Sequence, residues 1–428
     1  MTNMVGVGPF ITIPLLMATM GGPQALIGWF AALVLCAADA LIWSELGAAF
    51  PGSGGTYYYL KQGFAGTRFA RLFPFLFIWQ FILSGPLEIA SGFIGFVQYL
   101  GYLIPGLTQG QSRLVICALG LLTILLLYRR INSVGKLTVI LWIGTLITVF
   151  AVIFGGIGHF DARRAFDFPP NAFKLTGGFF LGLVAASRIG IYDYLGYYDI
   201  CYIGEEVRQP EKTIPRSILI SLFVVAILYI ATNLSIIGVI PWREFADANS
   251  PSPFVASLFM ERLYGGTAAK IFTVLILWTA LGSVFALLLG YSRVPYAAAR
   301  DGYFFRIFAS LHSKYQFPHF SLVVVGIISI VCSFFPLDKV IDGLVTSRIL
   351  VQFIAQIVAL HLVRKQNGNL PYKMFLYPLP ALVALVGWLI VLCTAAHDAL
   401  LLTGGMLALG VIAFAVWRSS QQSNVKPY

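Results

Sequence analysis

Met4-Val5-Gly6-Val7-Gly8-Pro9-Phe10 interrupts the first apolar stretch of the chain, and the reading of these seven residues decides the fold. Gly6, Gly8 and Pro9 remove two side chains and one N–H from a helix ladder. In lipid every backbone polar group must find a partner, so a helix broken at depth survives only where it lines a cavity or is buried in protein. The stretch therefore predicts unwinding at Gly6 to Gly8. Free N–H groups beside the start of the following half-helix would form a positive pocket suited to a carboxylate or another anion. The competing reading is a Gly/Pro kink that serves packing alone.

Composition places this stretch in a membrane. Of 428 residues, 59% are apolar and 11% charged, where a soluble domain carries about 25% charge. The apolar runs recur from end to end, with more apolar surface than one globular core can bury. They predict about twelve spans of about 20 residues each, at 1–20, 24–50, 72–100, 113–128, 137–158, 174–203, 217–240, 271–295, 319–336, 343–363, 379–396 and 399–417. A receptor with a large ectodomain is excluded. No secretory signal is read, because the first apolar stretch has neither a basic flank before it nor a small-residue cleavage site after it.

The net charge of +11 is read as topology and not as nucleic-acid binding. One set of alternate connections, with the C-terminal tail, holds eighteen lysines and arginines, and the opposite set holds eight. That asymmetry puts both termini in the cytoplasm of an integral, multi-pass protein of the cell membrane. Arg188 and Arg348 remain, both inside predicted spans. The connection 241–270 mixes aromatic and charged residues, which suits an interfacial helix and equally an ordinary long loop.

Span 6 carries a second candidate break, Tyr192-Asp193-Tyr194-Leu195-Gly196-Tyr197-Tyr198-Asp199-Ile200-Cys201. Two acids, a glycine and four tyrosines sit in mid-span. An unwound turn there exposes carbonyls able to accept from an ammonium group, and the tyrosine faces can pack against a cation or close over a ligand. Interrupted spans at matching places in two halves point to an inverted-repeat transporter site near the midplane. The two halves share pattern and no strong residue identity.

Intramembrane acids mark ion or substrate paths: Asp39 and Glu45 in span 2, Glu88 in span 3, Asp193 and Asp199 in span 6. Glu88, in Gly85-Pro86-Leu87-Glu88-Ile89-Ala90-Ser91, is the candidate for proton coupling, against a structural pairing with Arg348. Glu45, near a span end, reads as a gate or loop contact. Arg188 is expected to pair with Asp193 or Asp199 or to snorkel. Cys36, Cys117, Cys201, Cys332 and Cys393 fall in apolar segments without metal spacing and read as core residues. His159, His312, His319, His361 and His397 show no metal-ligand spacing within one helix, and no nucleophile–base pairing, phosphate loop or zinc helix is visible. A membrane enzyme is therefore disfavoured, no metal or other cofactor is expected, and no channel filter is seen.

These residues also carry a family likeness. Gly6-Val7-Gly8-Pro9-Phe10 resembles the glycine-rich first-helix motif of the amino acid–polyamine–organocation (APC) transporters, which have the leucine-transporter type of fold. Ser44-Glu45-Leu46-Gly47 with Pro51-Gly52-Ser53-Gly54-Gly55-Thr56-Tyr57 is similar to the end of that family's second helix. Gly204-Glu205-Glu206-Val207 with Pro210 and Ile214-Pro215-Arg216 is similar to the segment after its sixth. Ser292-Arg293 and Ala299-Arg300-Asp301-Gly302 are similar to the end of its eighth. Four motifs in family order over about three hundred residues are specific together, though each alone is weak.

The resemblance implies an all-α membrane protein with a five-plus-five inverted repeat, discontinuous helices 1 and 6, and two extra C-terminal helices. Residues 1–418 would form one transporter domain: a first repeat at 1–158, a second at 174–363, extra helices at 379–417, and a cytoplasmic tail at 419–428. It also implies that the amides of Gly6, Val7 and Gly8 hold a substrate carboxylate. The carbonyls of Tyr192, Asp193 and Leu195 would hold its amino group, with Tyr192 as the lid. Gly196, Tyr198 and Asp199 complete the candidate substrate-binding set. Polyamine-carrying relatives place an acid near Glu88, which gives that residue a second candidate role as counter-charge for a substrate amine.

The expected function is secondary amino acid transport by alternating access, proton-coupled or exchanging. The rivals are a polyamine or organic-cation carrier and a non-transporting sensor of the same fold. The expected partners are a small amino acid or amine, the lipid bilayer and a coupling proton, and no nucleic acid. Three features depart from the family pattern. Thr145 stands where several carriers have a helix-5 lysine whose ammonium replaces a sodium ion. Arg188 has no family role. Only five residues precede Gly6, so either Met1 is an internal start or roughly ten to twenty residues are missing ahead of it, judged by span length.

Overall fold

The computed structural model describes residues 4–128, 131–246, 252–366 and 369–423, with backbone alone for 131–136 and 420–423. Met1, Arg129, Arg130, the Lys136 side chain, Lys426 and the last five residues of the tail lie outside the described residues. The described residues are predominantly helical. In order it forms α1 (Gly8–Met20), α2 (Leu26–Ala49), α3 (Thr56–Gly63), α4 (Leu72–Leu103), α5 (Gln109–Leu127), α6 (Ile131–Ile157), the four-residue α7 (Ala162–Ala165), α8 (Gly177–Tyr194), α9 (Pro210–Val239) and α10 (Val255–Tyr291). There follow α11 (Arg293–Arg300), α12 (His319–Cys332), α13 (Leu337–Arg348), a π-helical turn (Ile349–Ile354), α14 (Ala355–Gln366), α15 (Leu379–Cys393) and α16 (His397–Ser423). Among the described residues the β contact is a single bridge, Ser53 to Ile203.

Eight helical stretches are long and apolar enough to cross a bilayer, and α1, α12 and α15 are shorter apolar helices. With the interrupted α8 segment they stand where the twelve apolar runs of the sequence fall. The outward faces agree with a lipid solvent. On α6 the exposed side chains Ile140, Ile143, Ile147, Phe150, Phe154 and Ile157 recur at steps of three and four, one stripe along the helix. On α5, Leu114 is 70% exposed and Leu125 65%. Apolar surface of this extent is stable against acyl chains and not against water.

Local chemistry sets several element ends. Thr108 and Gln111 close a reciprocal capping box at the start of α5, which satisfies two otherwise orphaned amides. Within 241–270, the segment from Val255 is helical up to a kink at Gly265 (φ 82°, ψ 171°), and a further helical run continues to Tyr291. Leu258, Phe259 and Leu263 are thus on helix, while Trp242 lies in a 3₁₀ turn and residues 247–251 lie outside the described residues. α1 and α8 lie side by side, with α2, α4, α9 and α10 around them. This packing sets the two interrupted elements against each other.

Candidate functional site

α8 is interrupted where the sequence predicts a break, and at the first candidate break the described chain is non-helical over Met4–Val7. Ahead of α1 the chain turns rather than coils: the Gly6 N–H donates back to the Met4 carbonyl at 3.0 Å, and regular helix starts at Gly8. The amides of Val7 and Gly8 donate to no group among the described residues. This end is pinned from two sides. Tyr99 of α4 donates to the Phe10 carbonyl at 2.9 Å, and Tyr229 of α9 donates to the Met4 carbonyl.

α8 stops at Tyr194, after which Leu195 is extended (ψ 148°) and Gly196 takes φ 97°, a left-handed conformation that favours glycine. Short 3₁₀ turns then run from Asp199 to Tyr202 and from Gly204 to Glu206. The Tyr192 carbonyl accepts from the Leu195 N–H at 3.2 Å, so it is held within the turn. The carbonyls of Asp193, Tyr194 and Leu195 accept no backbone N–H among the described residues.

The two breaks share one cavity of about 30 Å³, lined by Gly6, Val7, Gly8, Glu88, Ser91, Tyr192, Asp193, Leu195 and Ser283, among others. That volume holds about two waters, fewer atoms than even glycine has. The cavity is therefore too small for an amino acid in this state. Tyr192 bridges it, its hydroxyl donating to Ser91 Oγ on α4 at 2.7 Å. A Cβ added to Gly8 would lie 2.7 Å from Asp193 Oδ1 and 3.7 Å from the Tyr192 ring, and one added to Gly6 would lie 2.7 Å from Ser283 Oγ. Neither glycine leaves room for a side chain.

Of the sequence-predicted set, Gly6, Val7, Gly8, Tyr192, Asp193, Leu195 and Glu88 meet here. Three lie elsewhere. Tyr198 accepts a hydrogen bond from Arg348 at 2.8 Å and stacks on Trp43 with ring centroids 4.3 Å apart. Gly196 and Asp199 line a separate pocket with Tyr197, Thr213 and Arg216. The chain turns at Gly196, and this swings everything after it off the cavity wall.

Glu88 is engaged. Its Oε2 lies 2.7 Å from Arg348 Nη1 and accepts from the Tyr291 hydroxyl at 2.8 Å, with Arg348 fully buried. The structural pairing weighed from sequence is what the geometry displays. Arg188 corrects its expectation: it pairs with Asp342 at 3.3 Å and donates to the Val391 carbonyl at 3.3 Å, away from Asp193 and Asp199. Glu45, read as a gate or loop contact, is held bidentately by Arg364 of α14 at 2.6 Å and 2.6 Å and by the Met374 N–H of the following connection at 2.8 Å. Asp39 accepts from Tyr197 at 2.6 Å and from Trp388 at 3.3 Å. Thr145 donates to the Leu141 carbonyl at 3.1 Å.

Sequence reasoning missed Thr12, Ser91 and Ser283. Thr12 donates to Asp193 Oδ2 at 2.8 Å, and its signal was the spacing of four from Gly8, which places both on one helix face. Ser91 stands three residues from Glu88 on the same face. Ser283 follows Gly282 in an apolar run and carried no signal.

The all-helical architecture, with apolar helices of membrane-crossing length around a small polar cavity, is that of an integral membrane protein. The profile of the amino acid permease family matches residues 1–412, and the chain belongs to that family. Among its relatives it is 30% identical over 322 residues to the large neutral amino acids transporter small subunit 2 of Mus musculus, covering 73% of this chain. The chain spans 58% of that relative's length. It is 23% identical over 414 residues to the branched-chain amino acid permease BcaP of Lactococcus lactis subsp. cremoris (strain MG1363), covering 93% of this chain and 87% of the relative. To the cystine/glutamate transporter of Homo sapiens it is 27% identical over 392 residues, 89% of this chain and 75% of the relative.

Proposed function

We propose that this protein is a secondary carrier of small neutral amino acids that works by alternating access around the α1/α8 cavity. One observation carries the reading. Val7 and Gly8, whose amides are free, and Asp193 and Leu195, whose carbonyls are free, line one cavity, and a donor pair and an acceptor pair match the two ends of a zwitterion. The α1 end takes the carboxylate, the carbonyls at the α8 break take the ammonium group, and Tyr192 covers both. Opening on one side at a time supplies the missing volume. We further infer a five-plus-five inverted repeat within 1–363 and a cytoplasmic location for the cation-rich connections and both termini.

The relatives named for neutral and branched-chain amino acids support leucine as the probe. In proteoliposomes, labelled leucine uptake is expected to be competed by neutral amino acids and not by putrescine. Competition by putrescine alone would favour the rival amine carrier, for which one observation speaks: the carboxylate of Asp193 faces the cavity.

A further inference from the structure

Asp193 is the group in this cavity that no partner explains. It is 4% exposed, its Oδ2 accepts from Thr12, and its Oδ1 has no hydrogen-bond partner. Among the described residues no lysine or arginine pairs with it. A charged carboxylate in such a place costs several kcal/mol unless a cation compensates it. Glu88 is different, because Arg348 already balances its charge.

Position adds a second constraint. Asp193 Oδ1 sits where a Cβ of Gly8 would almost touch it, beside the amides proposed to hold the substrate carboxylate. Two carboxylates a few ångströms apart in a space of about 30 Å³ cannot both stay ionised without a large penalty. From the surrounding elements the titratable groups that face Asp193 are Tyr192 and Tyr194 on its own segment, Tyr229 on α9 and Glu88 on α4. From α1 it meets Thr12, and from α10 the cavity is lined by Ser283. None of these is a cation, so beyond the α1 amides no side chain in the wall offsets a second negative charge.

We propose that the Asp193 side chain is the coupling-proton site of this carrier: a proton enters it together with the amino acid, one for one. The proton comes from the solution on the side where the cavity is open. It rests on Oδ1, which then donates a hydrogen bond to the arriving carboxylate, and it leaves to the opposite solution with the substrate. This rests on the amino acid reading above, and places the proton on Asp193 and not on Glu88.

The test uses the full chain, purified in nanodiscs. Leucine affinity is measured between pH 5.5 and 8, and proton uptake on leucine addition is followed with an indicator dye in weak buffer. The expected result is affinity that weakens about tenfold per pH unit at the alkaline end, with about one proton taken up per leucine bound there. In Asp193→Asn, leucine affinity is expected to be independent of pH, with no proton uptake. Leucine binding to the wild type without proton uptake overturns the proposal while leaving amino acid transport standing, and so does an unchanged pH slope in Asp193→Asn. The wild-type proton count decides by itself where that variant does not fold. Failure of every amino acid to bind at any pH, with putrescine binding more tightly as pH rises, overturns this proposal and the amino acid reading together, leaving Asp193 as counter-charge for an amine.

Discussion

The absence of a side chain at position 8 does more for this site than any side chain present. Gly8 lets the Asp193 carboxylate and the Tyr192 ring close to within van der Waals range of the α1 backbone. Gly8→Leu fills that gap, and the account predicts loss of leucine binding and uptake with expression retained; normal uptake would remove the α1 end from the site. Glu88 and Arg348 make the opposite case, two buried charges that are tolerable only together. Glu88→Gln strands a fully buried guanidinium, and a loss of about 3–5 kcal/mol is expected, read as a lowered midpoint of thermal unfolding. In the double variant Glu88→Gln/Arg348→Met most of that loss is expected to return. Equal losses in the single and double variants would mean that Arg348 is not stabilised through Glu88.

Among the elements, the start of α1 and the break in α8 were legible because glycine, proline and paired acids in an apolar run have few structural uses. The direction of the chain after Gly196 was not legible. It depends on one left-handed residue, and this is why Tyr198 and Asp199 were placed in the cavity by sequence and stand outside it in the structure. The short helix α3 was also hidden, since Thr56–Gly63 is neither long nor apolar. It is held by Lys61, whose Nζ lies 2.7 Å from Asp301, and by Tyr57, which donates to the same carboxylate at 3.0 Å. Burial pushes the Asp301 carboxyl up, but Lys61, Tyr57 and Arg300 outweigh it and hold the group below the ordinary carboxylate range. A depressed folded value gives stability that is present above the unfolded value and is lost as pH falls through the folded one. Asp301→Asn is therefore expected to melt below the wild type at pH 7, and the gap is expected to close as pH falls below about 4. A gap that persists in acid would show that charge on Asp301 does not hold α3.

At the scale of the whole molecule, the apolar runs foretold an all-helical membrane protein because a bilayer leaves a chain little choice of fold. Long-range pairings such as Arg188 with Asp342 or Glu45 with Arg364 could not be read, since charge partners 154 and 319 residues apart leave no local trace. What the assembled helices present is one small cavity between the start of α1 and the break in α8, proposed to hold both ends of a zwitterion. The most direct measurement of that claim is thermal stabilisation of the purified protein by leucine, leucinamide and N-acetylleucine. Leucine has both charged ends, and each analogue lacks one of them. Stabilisation by leucine with little or none from either analogue is the predicted result, and equal stabilisation by leucinamide or N-acetylleucine would contradict a site that holds both ends of a zwitterion.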